Sequence, residues 1–191
     1  MTEDGPVVVG VSGASGAPIA LKVLEALRAA RCPVAVVASR AGLEVLHEET
    51  GLDRTSLEPY ADAVYPDDDL GAPIASGSRP TRGMVVVPCS ATTTAKIALG
   101  LGDTLLTRAA HVHLKEHRKL VLVPRETPMP TILLRHLTGL SELGVIVLVA
   151  APAFYLKPRS IDDVTGFLAG KVLDHLGVPH TLYRGWKAGD P

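Results

Sequence analysis

Cysteine is nearly absent from this 191-residue chain: Cys32 and Cys89 are the only two, and neither stands in a CxxC spacing. Two thiols make no disulfide framework, which excludes the small stapled secreted scaffolds and fits a reducing cytoplasm. Aromatic residues are scarce as well, with two Phe, one Trp and four Tyr. Val, Leu, Ile and Ala must therefore fill the core, a composition that suits buried parallel strands covered by Ala-rich helices. Charge of one sign is also lacking. Nineteen Lys and Arg against twenty Asp and Glu create no overall field to recruit nucleic acid or an anionic membrane, so any anion site must be built locally. The longest apolar run, Val145 to Ala151, ends at Pro152, far short of the roughly 20 residues of a membrane span. The opening Met1-Thr2-Glu3-Asp4 is acidic where an export signal would be basic. These absences predict a cytoplasmic protein without nucleic acid or membrane as partner. The length favours one domain, residues 1–191, with a sizeable core.

What is present is an alternation of strand and helix patterns. Val7 to Val11 reads as a strand buried on both faces, followed by the glycine-bearing Ser12 to Ala17 and by Pro18 at a helix start. Apolar Ile19, Val23, Leu24 and Leu27 then recur at helical spacing within Ile19 to Ala30. Further along come strand Val34 to Ala38, helix Ala41 to Glu48, a short strand Ala63 to Tyr65, strand Met84 to Val87, and a helical stretch from Thr92 to Lys115. Strand Leu120 to Val123, helix Thr131 to Leu143, strand Val145 to Val149 and helix Ile161 to Leu176, stopped by Gly177, complete the series. Such alternation predicts an α/β fold, a three-layer doubly wound parallel sheet of Rossmann or flavodoxin type. The loop Pro66 to Arg82 is long for a compact domain, and its Ala75-Ser76-Gly77-Ser78 suits close approach by a ligand.

Ligands of such sheets bind beyond the carboxyl ends of the strands. Five predicted strand ends carry glycine or polar residues: Ser12 to Ala17, Ser39-Arg40, Pro88 to Thr94, Arg125 to Pro128, and Pro152 to Tyr155. The spacing Gly10-x-x-Gly13-x-x-Gly16 is not GxGxxG. Its glycines nonetheless allow a phosphate close to the backbone at a helix N-terminus; the plain alternative is a tight turn capped by Ser15. At the second strand end Ser39-Arg40 replaces the acidic residue of an NAD site. That favours a phosphate monoester such as FMN, with NADP held by Arg40 as the alternative. Neither Ser12 nor Ser15 meets the GxSxG spacing of a hydrolase, and His113-Leu-Lys-Glu-His117 is not HExxH. These histidines read as solvated residues of a helix surface, without a metal. Arg108, His111 and Lys115 share one helix face, either a basic stripe aimed at a phosphate or a solvated face. Cys89 reads as a small buried thiol.

Several blocks taken together resemble one family. They are Val9-Gly-Val-Ser-Gly-Ala-Ser-Gly-Ala17, Ala75-Ser-Gly-Ser78, Val87-Pro-Cys-Ser90, Leu106-Thr-Arg-Ala-Ala110, Leu114-Lys-Glu116, Pro124-Arg-Glu-Thr-Pro128, Ala153-Phe-Tyr155 and Ser160-Ile-Asp-Asp163. In this order and spacing, from about Val7 to Trp186, they resemble the flavin prenyltransferases of UbiX type. The resemblance implies transfer of a dimethylallyl group from dimethylallyl phosphate to reduced FMN, closing a fourth ring between flavin nitrogen-5 and carbon-6. It implies prenylated FMN for a UbiD-type decarboxylase, no metal, and a homo-oligomer, a dodecamer, with a shared site.

Carried over by residue, Gly13, Ala14, Ser15, Ser39, Ser90, Ala91, Thr92, Thr93 and Arg125 match FMN contacts. Lys115, Glu126, Tyr155 and Lys171 match positions around the prenyl phosphate, while Ser15, Glu49 and Arg108 match further active-site positions. The chemistry agrees with these roles. Breaking an allylic carbon–oxygen bond builds negative charge on the departing phosphate, which fixed cations and hydroxyls stabilise. Glu126 is the candidate base for the flavin carbon, relaying through Ser15 and the phosphate; the plain reading is an ion pair with Arg125. The chain departs from the family's pattern at His111, usually Asp, and at Pro18, usually larger, while Lys171 is Arg in some relatives. An FMN-dependent cysteine-type decarboxylase and a non-catalytic FMN carrier are the rival readings. The first lacks its PASMNxxMW-like segment here, and the second has no use for Glu126 with Lys115, Tyr155 and Lys171.

Overall fold

Every strand pairing among the described residues is parallel. The structure, a computed structural model, describes residues 5–186; the acidic Met1-Thr2-Glu3-Asp4 lies outside them. Its strands are β1 (Val7–Val11), β2 (Val34–Ala38), β3 (Ala63–Pro66), β4 (Gly83–Cys89), β5 (Leu120–Pro124) and β6 (Ile146–Val147). Their order in the sheet, β3-β2-β1-β4-β5-β6, is that of dinucleotide-binding sheets rather than of flavodoxin. The winding therefore reverses between β1 and β4.

Both faces of the sheet are apolar, and the two-residue period of a strand divides its side chains between them. Val7, Val9 and Val11 join Val85 and Val87 on one side, under α1 (Ala17–Ala29), α2 (Arg40–Thr50) and α6 (Ile161–Leu176). Val8, Met84 and Val86 face the other side, under α3 (Ala91–Ala98), α4 (Leu105–Lys115) and α5 (Thr131–Glu142). Val7, Val8 and Val9 are all fully buried, and each such side chain contributes roughly 1.5–3 kcal/mol. An exposed pair such as Arg40 with Glu44, 3.0 Å apart, contributes about 0–1 kcal/mol. The sheet core, not surface charge, carries the stability.

The helices start and stop where their local chemistry dictates. Ser39 caps α2 by accepting from the Gly42 N–H at 3.0 Å, and Gly51 ends it at φ 71°. Ser160 and Asp163 cap α6 reciprocally, and Gly177 stops it at φ 69°. The single helical stretch expected from Thr92 to Lys115 is instead two helices. Gly100, at φ 76°, breaks the first, and Thr104 starts the second in a reciprocal cap with Thr107. This break opens the space above the sheet that the site uses. The last strand is also shorter than the Val145 to Val149 expected. Only Ile146–Val147 keep regular pairing, although Leu148 still donates to Leu122 O at 2.9 Å and Ala150 to Pro124 O at 3.1 Å. As an edge strand it has a ladder on one side only, so irregular pairing costs little.

The loop from Pro66 to Arg82 runs down along α4 rather than over the strand ends. The Arg118 guanidinium donates to Gly77 O at 2.6 Å and to Arg79 O at 2.8 Å. A Cβ on Gly77 would collide with the side chains of Glu116 and Lys115. The close approach at Gly77 is therefore made by this chain's own α4, through Glu116 and Lys115. His113, expected at the helix surface, is fully buried. Its Nδ1 donates to Ala109 O at 2.7 Å, which leaves Nε2 to accept from the Thr81 hydroxyl at 2.9 Å.

Burial, with Arg118 nearby, pushes the His113 pKa down from 6.5 to about 4. The unfolded chain thus binds a proton that the folded chain refuses. Stability should decline as pH falls from about 6.5 toward 4, by at most about 3 kcal/mol from this group. Urea unfolding of wild type and His113→Gln across that range checks this. The variant's stability should vary less with pH, and equal slopes would remove His113 as the cause.

Candidate functional site

At the winding reversal the loops after β1 and β4 are tied together by one side chain. Ser12, fully buried, donates its hydroxyl to Pro88 O at 2.9 Å and accepts from the Ser90 N–H at 2.7 Å. Its own N–H donates to Pro88 O at 3.2 Å, and Ser39 N–H donates to Val11 O at 2.9 Å, which draws in the loop after β2. Gly13 and Gly42 make that convergence possible. A Cβ on Gly13 would stand 2.5 Å from the Cβ of Ala41, and one on Gly42 would strike Val11 O. These glycines let the start of α2 rest on the first loop. For Gly13 the limiting neighbour is protein, not the phosphate suggested by the glycine spacing.

Two cavities open above this junction and meet at Gly13 and Ser90. The first, about 340 Å³, is walled by Ser39, Arg40, Ala41, Asp67, Thr92, Thr93, Lys96, Thr104, Leu106 and Thr107. The second, about 420 Å³, is walled by Ala14, Ser15, Glu44, Val45, Glu48, Glu49, Ala91, Arg125 and Glu126. Each has the size of a small-molecule site. Five successive strand ends, those of β1 to β5, supply these walls, as expected of a doubly wound sheet.

The first cavity suits an anion with hydroxyls. Ser90 caps α3 by accepting from the Thr93 N–H at 3.1 Å. The N–H groups of Ala91 and Thr92 are in the first turn and have no partner within the helix. Together with the helix dipole they favour negative charge, and the hydroxyls of Ser39, Thr92, Thr104 and Thr107 surround the same space. The expected anion site at the start of α1 is closed. Glu49 reaches across from the end of α2, accepting from Gly16 N–H at 3.0 Å and Ala17 N–H at 2.8 Å. A carboxylate thus stands where a phosphate was expected, and the cradle moves to α3. Burial raises the Glu49 pKa, but donors on Ser15, Gly16 and Ala17, with Arg125 nearby, outweigh it and hold the acid below its ordinary value.

In the second cavity Glu44, Glu48, Glu49 and Glu126 face a single cation, Arg125. The Arg125 Nε donates to Ser15 O at 3.2 Å, binding the loop after β5 to the loop after β1. Ser15, Glu49, Arg125 and Glu126 are therefore brought together. Arg108, Lys115, Tyr155 and Lys171 are not: none lies in either cavity wall. Arg108 donates to Gly102 O at 3.3 Å, and His111 meets Ile97 O at 3.2 Å, so the stripe on α4 spreads along the helix instead of converging. Lys115 pairs with Glu116 at 2.6 Å at the far end of α4. Lys171 pairs with Asp174 at 3.1 Å in the lower half of α6. Tyr155 packs edge-on against Trp186, ring centres 4.9 Å apart. Cys89 is buried as expected, its thiol pushed up to about 12 by desolvation despite Thr94.

Asp67, Lys96, Thr104 and Thr107 line the first cavity and were not among the expected site residues. Lys96 stands four residues after Thr92, and that i,i+4 spacing on one helix face was the available signal. Thr104 and Thr107 were hidden by reading α3 and α4 as one helix.

A Rossmann-ordered sheet with an anion cradle and a carboxylate-rich pocket at its switch point defines a class of small-molecule-binding α/β protein. Within that class, the family model described as Flavoprotein matches residues 1–172. The flavin prenyltransferase UbiX of Thermoplasma acidophilum is 48% identical over 180 residues, covering 94% of this chain and 99% of that protein. The chain belongs to the flavin prenyltransferase family. AnUbiX (PadA1), solved in complex with FMN and dimethylallyl pyrophosphate, is 37% identical and superposes with a TM-score of 0.94, over 97% of this chain and 99% of that one. A dodecameric FMN-dependent UbiX-like decarboxylase from Escherichia coli O157:H7 is 40% identical with a TM-score of 0.91, over 95% and 100% of the two chains.

Ser12→Ala should destabilise the protein by about 1–3 kcal/mol, because the part-buried Ser90 N–H loses its acceptor and the pull between β1 and β4 ends. Denaturant unfolding measures this. A change under about 0.5 kcal/mol would mean that the neighbouring loops re-pair without it.

Proposed function

We propose that this protein transfers a dimethylallyl group from dimethylallyl phosphate to reduced FMN, releasing prenylated FMN for a UbiD-type decarboxylase in the cytoplasm. One observation carries the reading: a phosphate cradle at α3 adjoins a pocket where Ser15, Glu49, Arg125 and Glu126 surround one space. The two cavities suit the two ends of FMN. Hydroxyls and helix N–H groups would hold the phosphate and ribityl chain at Ser39, Ser90, Ala91, Thr92 and Thr93. The flavin ring would then lie over Gly13, Ala14 and Ser15, beside Arg125.

Bound reduced FMN supplies an electron-rich ring at nitrogen-5 and carbon-6. The chain's own groups do the rest. Arg125, oriented on Ser15 O, fixes the loop that carries Glu126. Glu126 removes the proton from the flavin carbon as the ring closes, the role of a positioned general base. Glu49 fixes Ser15 and the first turn of α1 through its contacts with Gly16 and Ala17. The departing phosphate requires cations, since charge builds on it in the transition state. Four glutamates and one cation, Arg125, line the second cavity; Glu44 is paired with Arg40, and Glu49 with the Gly16 and Ala17 N–H groups. In this reading the cations Arg108, Lys115 and Lys171 and the Tyr155 hydroxyl, assigned to the prenyl phosphate by the family resemblance, come from neighbouring copies of this chain. A dodecamer of the kind named for the Escherichia coli relative is the assembly we infer. No step in this sequence uses a metal.

Glu126→Gln should bind FMN with near wild-type affinity while prenylation, followed by mass spectrometry of the released flavin, slows about 100-fold or more. Unchanged turnover would remove Glu126 as the base. The shared site has its own test, because Lys115→Ala and Glu126→Gln damage different contributors. Mixed assemblies should regain about one quarter of wild-type activity, the fraction of sites receiving both intact residues. Mixtures as inactive as the separate variants would place both residues in one chain's site.

A further inference from the structure

We infer that Lys96 is the counter-ion of the flavin phosphate, standing by on Asp103 until the phosphate arrives. The inference rests on the flavin reading above and adds a binding residue to it. Lys96 lies one turn beyond Thr92 on α3, on the same face, and lines the first cavity with it. Its ammonium is held at Asp103, next to Thr104 of the same cavity wall, and the N-terminal lean of helical side chains leaves the first turn of α3 within its swing once Asp103 is released. Its side chain is 31% exposed, against 95% for Arg40, the other cation in that wall. Arg40 is moreover held by Glu44 at 3.0 Å.

The partner of Lys96 is suited to letting go. Lys96 Nζ meets Asp103 Oδ2 at 2.7 Å, but that carboxylate is 59% exposed and sits in the loop between α3 and α4. An exposed ion pair of this kind holds weakly. A phosphate dianion at the helix N-terminus offers more charge and a less solvated position. Asp67, the carboxylate in the same wall, is held by the Leu106 N–H at 2.8 Å at the start of α4. Burial raises its pKa against the opposing pull of the Leu106 N–H, the Thr104 side chain and Lys96, so its charge is already engaged at the start of α4. Lys96 is thus the half-buried cation of the cradle, while the hydroxyls and N–H groups supply direction.

The test separates phosphate from ring by titrating FMN and riboflavin into wild type, Lys96→Met and Lys96→Arg, following flavin fluorescence. Lys96→Met should weaken FMN about tenfold or more, equivalent to about 1.4 kcal/mol, and change riboflavin less than about twofold. Lys96→Arg should keep FMN within about threefold of wild type, since charge rather than shape is required. Equal FMN affinity in wild type and Lys96→Met, or a parallel loss of riboflavin, would overturn the assignment. Wild type that binds neither flavin would instead sink the flavin reading itself.

Discussion

The Ser12 hydroxyl is the point on which the rest of the site depends. A doubly wound sheet parts its loops at the winding reversal, and here that gap lies between β1 and β4. Left open, it would expose the Ser90 N–H and Pro88 C=O at the top of the core. Ser12 satisfies both from a fully buried position, and so fixes the first loop against the start of α3. The depth and shape of both cavities follow, because Gly13 and Ser90 form their common wall. Arg125 adds a second tie on the outer side through Ser15 O. Glu49 adds a third through Gly16 and Ala17.

These ties sort the helix N-termini by function. Four helices, α1 to α4, begin around the two cavities, each start attracts negative charge, and Asp67 already occupies that of α4. Glu49 takes the start of α1, while Ser39 and Ser90 cap α2 and α3 with neutral hydroxyls. An entering anion therefore meets competition at α1 and a welcome at α3. The same arrangement concentrates carboxylates around Arg125 in the second cavity, an imbalance that one chain does not correct. On the proposed function, a pocket lined by four glutamates and one arginine is short of the cations that a departing phosphate requires. That shortfall is the physical argument for the proposed partner copy, and the family resemblance says which residues it would bring.

Much of the fold was legible because it is locally encoded. The valine run of β1, the capping serines Ser39 and Ser160, and the stops at Gly51 and Gly177 lie where hydrophobic period and backbone chemistry place them. The break between α3 and α4 was also written locally, in Gly100 and in the cap of Thr104 with Thr107, but apolar residues at helical spacing on both sides concealed it. The site was legible as a set of strand ends, since parallel topology brings them to one edge. His113 was misjudged because its burial depends on Thr81, thirty-two residues earlier, descending beside α4.

The sequence by itself determined the alternating elements, the edge on which the chemistry gathers, and the residues at the ends of β1, β2, β4 and β5 that supply it. Period, caps and turn residues act over a few positions and need no distant partner. Only the tertiary structure decided which helix start remains open to an anion. That outcome depends on Glu49 crossing thirty-three residues of sequence to reach Gly16. It also set the close packing at Gly13 and Gly42, because the Ala41 methyl and the Val11 carbonyl approach them only in the folded chain. Long-range proximity, set by the order of strands in the sheet, divides a glycine that touches protein from one that touches a ligand.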